Sequence, residues 1–404
     1  MSSSYLRHSL VLAAGVVLPV GVAQADVSVQ PSVELRAEMS SNAGLDPVTN
    51  DDSDNTASIA DLAALITILT PRGETIIRPR LKLREDENRS TEPVEAFLDL
   101  NSKYRSERGQ FDLRASFDRR DTYVAELADA GYDPIDPEDP TTPQTGRNVV
   151  GETRERAEVR PTYFYRVSER TTLGAKAFYQ TVRYSDEAAF ERVDYDFSRA
   201  DGLIAWAINP RSDIQMGAYV SRYEAKNEVN QTDAVGGLIA FVRRWSETAG
   251  TTFELSFEQN DVLFDPLLPE ESDSGWGGNI TNYWEGEVSV WRLTIGRTFS
   301  PTGRGGKSTV DQLRLQYDRD LSARLRFRSA ARLLSDESIS DAGSNNDRDY
   351  GRLELSLEWK MSPTWYIQGG YMYTYQDRVS DPDAADDHRF FVSIGYRGLR
   401  PQRR

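Results

Sequence analysis

A two-residue alternation of apolar and charged side chains recurs along this chain, and it restricts the possible folds more than any other feature. Between Leu321 and Leu333, the residues Leu321, Ala323, Leu325, Phe327, Ala331 and Leu333 interleave with Arg324, Arg326, Arg328 and Arg332. Leu353, Leu355, Leu357 and Trp359 alternate in the same way with Arg352, Glu354, Glu358 and Lys360, as do Phe111, Leu113, Ala115 and Phe117 with Asp112, Arg114 and Asp118. Successive side chains on a strand point to opposite faces, so each segment has one greasy and one charged face. A soluble sandwich would bury the greasy face. A membrane barrel turns it to lipid and holds the charged face in its lumen. With many such segments and no amphipathic helical segment to cover a sheet, the pattern predicts an all-β, transmembrane antiparallel β-barrel.

The start of the chain points to the solvent that the outer faces meet. Arg7 and His8 precede an apolar run from Leu10 to Val22, and Ala23-Gln24-Ala25 follows. This is the layout of a cleavable secretory signal, giving residues 1–25 as leader and 26–404 as a single barrel domain. The run is too short to span a bilayer as a helix, and no later stretch approaches the required length. Export without a membrane helix points to the outer membrane of a Gram-negative bacterium. The chain has no cysteine, which excludes disulfides, thiolate metal sites and lipidation through a cysteine. A mean hydropathy of -0.58 decides nothing, because a barrel needs apolar residues on only one face of each strand. The net charge of -16 argues against a nucleic-acid partner, which demands a basic surface.

Acidic residues gather in the longer connections: Asp46 to Asp54, Asp129 to Asp139, Asp261 to Asp273, Asp336 to Asp349 and Asp377 to Asp387. Short connections alternate with these, among them Thr70-Pro71-Arg72-Gly73, Asn209-Pro210-Arg211-Ser212 and Met361-Ser362-Pro363. Outer-membrane barrels have short periplasmic turns and long extracellular loops, so both chain ends belong at the periplasmic side. Reading strands under this rule gives seventeen segments, including 285–299, 322–334 and 388–397, the last running on past Tyr396 into Arg397-Gly398-Leu399-Arg400. The segments 250–261 and 285–299 then both run outward. An inward strand must therefore lie between them, within Phe264 to Trp284. Eighteen strands result, with sixteen as the alternative if two weak segments are loops.

Trp359, Trp365, Tyr366, Tyr371, Tyr373 and Tyr375 cluster on both sides of one short turn. They fit an interfacial girdle, although strand propensity also enriches these residues. Catalytic chemistry has little to draw on. His8 leaves with the leader, so His388, beside Asp386 and Asp387, is the one histidine left for a histidine-dependent mechanism. An exposed loop histidine explains it as well, and no enzyme activity and no cofactor is expected. Asp51, Asp52 and Asp54 have calcium-binding chemistry but lack a twelve-residue loop with a glycine hinge and terminal glutamate.

The inward cations are the best functional lead. Arg78, Arg80, Lys82 and Arg84, then Arg154, Arg156 and Arg160, then Arg324, Arg326, Arg328 and Arg332 are expected to line the lumen. Charge of one sign selects ions of the other, so they suit passage of anions or an acidic polysaccharide. Alternatively, carboxylates on neighbouring strands, including Glu354, Glu358, Asp311 and Asp318, pair with them and hold the wall together.

The stretch Ser300-Pro301-Thr302-Gly303-Arg304-Gly305-Gly306, followed by Asp311-Gln312-Leu313-Arg314-Leu315 and Leu321-Ser322-Ala323-Arg324-Leu325, resembles the outer-membrane β-barrel family found with bacterial exopolysaccharide and exosortase (PEP-CTERM) systems. So do Leu357 to Trp365 with Tyr371-Met372-Tyr373, and Pro79-Arg80-Leu81-Lys82-Leu83. The terminal Gln402-Arg403-Arg404 departs from the usual closing aromatic. The resemblance implies a part in exopolysaccharide export or surface assembly, with periplasmic secretion components as partners and no catalytic residues. The alternatives are a general or anion-preferring diffusion porin and a structural surface protein. In each case outer-membrane lipid and lipopolysaccharide surround the barrel.

Overall fold

The computed structural model describes residues 25–45, 54–87, 94–121, 153–185, 193–226, 230–263, 271–302, 306–338, 347–379 and 383–399. Residues 1–24 of the expected leader and the acidic stretch 129–139 lie outside them, as do Asp51 and Asp52. The strands are β1 Asp26–Ser40, β2 Asn55–Thr70, β3 Gly73–Asp86, β4 Val94–Arg105, β5 Gly109–Asp121, β6 Thr153–Arg166, β7 Thr171–Tyr184, β8 Tyr195–Asn209 and β9 Ser212–Ala225. They continue as β10 Gln231–Arg244, β11 Ala249–Leu263, β12 Glu271–Glu285, β13 Ser289–Thr302, β14 Gly306–Asp320, β15 Leu325–Ser338, β16 Arg348–Lys360, β17 Trp365–Arg378 and β18 Ala385–Arg397. Each pairs antiparallel with its sequence neighbours, and β1 pairs with β18 from Ser32↔Arg397 to Ser40↔Arg389, so the 18-stranded sheet closes on itself.

The strand demanded by parity is β12. Several strands begin elsewhere than the sequence reading places them. Glu285 closes β12 and β13 starts at Ser289; Leu321 to Arg324 form a turn; β2 starts at Asn55 and β18 at Ala385, while β18 stops at Arg397 as expected, where the Gly398 N–H donates to Pro31 O. The strands also extend into the acidic stretches, since Asp336 and Asp349 belong to β15 and β16.

Short turns share a chemical device. In Val167 to Arg170, Leu321 to Arg324 and Met361 to Thr364, the second residue is serine, and its hydroxyl accepts backbone N–H groups from the turn's end. Prolines leave local marks. Beside Pro79 the β2–β3 ladder skips from Ala63↔Arg80 to Ile66↔Ile77, and beside Pro161 the β6–β7 ladder skips from Val159↔Tyr179 to Thr162↔Lys176. Proline has no N–H to give the neighbouring strand.

The outer face carries Val27, Leu35, Leu81, Leu173, Ile239, Leu255, Leu333, Leu353 and Val392, all exposed. Tyr104, Tyr165, Trp206, Trp245, Trp284, Trp359 and Trp365 stand exposed near the short-turn end, as an interfacial girdle requires. Tyr366 is not part of it. It points inward, buried over Gly395, and donates a 2.7 Å hydrogen bond to Glu34.

The lumen is not a uniform tube. After β1, Ser41 to Leu45 turn inward at the long-connection end. The Ser40 hydroxyl and Asn42 N–H both donate to Asp387, and Leu45 packs against Val310, Leu334, Tyr350 and Ala385. Leu45 holds φ 49°, a region costly for a non-glycine residue, and its burial offsets that strain. On the other side, Cα atoms of β14 come within 8 Å of β9 and β10. Lys307 of β14 reaches Glu258 and, at 2.9 Å, Asn260 of β11, and all three are buried. Gly236 permits the close packing there, since a Cβ on it would lie 2.2 Å from the Tyr219 ring.

Candidate functional site

The inner face follows from register. Outward pairs such as Leu62↔Leu81 and Leu98↔Phe117 force the intervening pairs, Asp61↔Lys82 and Phe97↔Asp118, to face the lumen. By this rule Arg78, Arg80, Lys82 and Arg84 project inward from β3, Arg154, Arg156 and Arg160 from β6, and Arg326, Arg328 and Arg332 from β15. Arg324 does not. It sits exposed in the β14–β15 turn, because the alternation that includes it continues through a turn and not a strand.

Most of these cations meet a carboxylate. Arg78 pairs with Asp99 at 3.0 Å, Lys82 with Glu95 at 3.0 Å, and the Arg80 Nε donates to both Asp61 oxygens. Arg84 reaches Asp86 at 2.7 Å and Glu38 at 3.5 Å. Asp118 accepts from Arg120, Arg154 and Arg156, and Glu158 pairs with Arg156 and Arg160. Arg326 pairs with Asp320 at 2.6 Å and Arg328 with Glu358 at 3.1 Å, while Arg332 donates to Gln312 at 3.4 Å. Asp311 is no lumen partner. It lies on the outer face, paired with Arg297.

Within many of these pairs the two charges are unequally exposed. The Arg328 side chain is 35% exposed against 1% for Glu358, Arg160 25% against 9% for Glu158, and Arg80 38% against 21% for Asp61. Short carboxylates stay against the wall, while the longer guanidinium stems carry positive charge into the lumen. The Arg78–Asp99, Arg326–Asp320 and Arg352–Glu354 pairs depart from the trend.

Register also sets like charges opposite one another. Arg314, Arg332 and Arg352 form one row across β14, β15 and β16, and Arg114 faces Arg160 while Arg120 faces Arg154. Directly opposed like charges weaken a sheet unless a carboxylate lies between them, as Asp118 does between Arg120 and Arg154. Arg36, Arg114, Arg120, Arg314, Arg352 and Arg389 were not among the residues expected from sequence. The alternation signal covered several of them, but only the pairing register shows which stand beside each other.

His388 faces outward near the long-connection end. Its Nδ1 is 2.8 Å from the Tyr371 hydroxyl and its Nε2 3.2 Å from Asp386, and its backbone N–H donates to the Ser41 hydroxyl.

No family model and no curated protein matches the chain. Among solved structures it is similar to Pseudomonas aeruginosa OpdK with vanillate (12% identity, TM-score 0.45, covering 92% of this chain and 99% of that one). It is also similar to P. aeruginosa OccK2 (OpdF) in complex with glucuronate (9%, 0.46, 93% and 99%) and to Acinetobacter baumannii OccAB3 (11%, 0.46, 92% and 99%). Similarity at this level says nothing about what passes through the barrel.

Proposed function

We propose that the chain is an outer-membrane diffusion channel of a Gram-negative bacterium that prefers small anionic solutes. The membrane setting is supported by the closed sheet, its apolar outer face and the aromatic girdle at the short-turn end. The observation that carries the selectivity is the exposure asymmetry of the lumen pairs. The Arg328–Glu358, Arg160–Glu158 and Arg80–Asp61 pairs are near neutral, yet the half that a permeating ion meets is the guanidinium. A solute crossing such a lumen exchanges part of its hydration for Arg N–H donors, which favours carboxylates and phosphates over cations.

Polysaccharide export, implied by the family resemblance, has weaker support. Ser41 to Leu45 and the inward lean of β14 both narrow the end through which a polymer would leave. The deciding measurement is the reversal potential of the purified barrel in planar bilayers under a KCl gradient, with liposome swelling in a small organic acid and in a neutral sugar of equal size. Chloride preference and faster uptake of the acid are expected. Potassium preference, or a channel that stays shut without periplasmic partners, would reject this function.

A further inference from the structure

Among the described residues, the wall of the barrel parts between the upper halves of β12 and β13. The β11–β12 ladder runs from Val262↔Glu271 to Ala249↔Trp284, and the β13–β14 ladder from Thr302↔Gly306 to Ser289↔Arg319. Between β12 and β13, pairing begins only at Gly278↔Arg297. Above that point Ser272 to Gly277 form one lip and Thr298 to Ser300 the other, with the Phe299 ring wedged against Gly275, where a Cβ would be 2.6 Å from it. A lipid-facing strand edge whose backbone groups lack partners is not tolerated in hydrocarbon. Ser300 is buried and the Phe299 ring lies 5.9 Å from the buried Lys307 ammonium, so the β13 edge is covered by protein, whereas Ser272, Asp273 and Ser274 of the β12 edge are exposed and lie at headgroup depth or beneath something able to hydrogen-bond.

Outside the same seam the wall is concave, with a groove of about 690 Å³ spanning β11 to β17. The concavity faces away from the inward lean of β14. Its apolar part is the row Ile280, Ile295, Leu313 and Leu333, with Leu255 and Trp276 at the side. Immediately above runs a polar row, Arg297, Asp311, Ser335 and Asp349. Arg297 lies 5.2 Å over the Trp276 ring and is bound by Asp311. An apolar row directly below a charged one marks the boundary between acyl chains and headgroups.

We infer that this groove is a binding site for a phosphorylated, multi-acylated glycolipid of the outer leaflet, a deepening that rests on the outer-membrane placement proposed above. Acyl chains lie along the apolar row. A phosphate oxygen accepts from the Arg297 guanidinium, and a divalent counter-ion of the phosphates bridges to Asp311 and Asp349. Sugar hydroxyls and acyl amides face the unpaired edge of β12, which presents both N–H and C=O groups. A glycerophospholipid brings one phosphate and two chains, so it fills the charged and apolar rows less completely. The span of seven strands also suits several chains better than two.

The test uses full-length barrel purified in detergent, stripped of lipid, and offered lipid A, phosphatidylethanolamine or phosphatidylglycerol at equal mole fraction with magnesium, retained lipid being counted by native mass spectrometry. Lipid A is expected to be retained over both phospholipids. Arg297→Gln should weaken its retention about tenfold, the scale of one charge-assisted hydrogen bond. Leu313→Trp, which fills the groove without touching a charge, should abolish it, and both variants should keep heat-modifiable mobility and wild-type conductance. Equal retention of phosphatidylglycerol, or of lipid A by both variants, overturns the site. Disulfide dimers of Leu313→Cys barrels in lipid-A-containing membranes would also overturn it, by placing a second copy in the groove. A barrel that fractionates away from the outer membrane would instead overturn the placement itself.

Discussion

Two sectors of the inner wall use the same chemistry to different ends. Between β15 and β6, through the β18–β1 closure, ion pairs such as Arg328–Glu358 and Arg160–Glu158 leave their guanidinium groups in contact with the lumen. On the far side, where β14 approaches β9 and β10, Lys307 and Glu258 are each only 2% exposed. A half-solvated pair adds little to stability, because water and ions screen it, but it presents charge to a passing solute. A dry pair presents charge to nothing except its partner, so its role is to hold two parts of the wall together. The comparison teaches that exposure, and not the presence of Arg or Lys, separates lumen charges within reach of a solute from those that hold the wall.

The largest expected effect tests the dry sector. Lys307→Met leaves Glu258 buried without its cation, which costs about 3–5 kcal/mol in pairs of this kind. The urea midpoint of the variant in detergent should fall accordingly, and single-channel conductance should rise as β14 is released. Lys307→Met with Glu258→Met should recover most of the stability, since apolar replacement of both partners is often neutral. A single variant as stable as wild type would mean that the pair does not hold the inward lean.

Next in size is the solvated sector. Arg80→Gln, Arg160→Gln and Arg328→Gln together should remove the anion preference while the barrel still migrates as folded. A unit charge at contact distance in water is worth about 1 kcal/mol, or roughly fivefold per site in the chloride-to-potassium ratio. Reversal potentials measure this directly. An unchanged ratio would show that solutes do not meet these guanidinium groups, and the contrast between the sectors would then be one of hydration without function.

Much of the wall was legible in the sequence because a strand reports its two faces by alternation alone. Leu353 to Trp359 and Leu81 with Leu83 settle which face is outer, and strand parity requires β12 even though Gly275, Gly277 and Gly278 dilute its pattern. The lumen was less legible, since alternation shows which way a side chain points but not how far it is covered. Arg328 and Arg332 are four residues apart on one face of β15, yet the first is a third exposed and the second fully buried. Nor does the pattern reveal contacts between distant strands. Lys307 with Glu258, and Leu45 with Tyr350, come together only because the wall leans inward and the end of β1 folds into the mouth.

The smallest expected effect separates two arginines that the sequence presents alike. Arg324 and Arg328 occupy equivalent places in the alternation, but Arg324 lies in the β14–β15 turn. Its N–H donates to the Ser322 hydroxyl, and its carbonyl accepts from Lys360 N–H at 2.8 Å. Both interactions use the backbone, so the turn does not depend on the guanidinium. Its charge projects into bulk solvent, where the Debye length is about 8 Å at physiological ionic strength. Arg324→Glu should therefore leave both the urea midpoint and the reversal potential near wild type, within about 0.5 kcal/mol for stability. Arg328→Glu, which sets a second carboxylate beside Glu358, should shift both. If Arg324→Glu changed selectivity as much as Arg328→Glu, the periplasmic mouth rather than the inner wall would be choosing the ion, and the sector comparison would have to be redrawn around the turns.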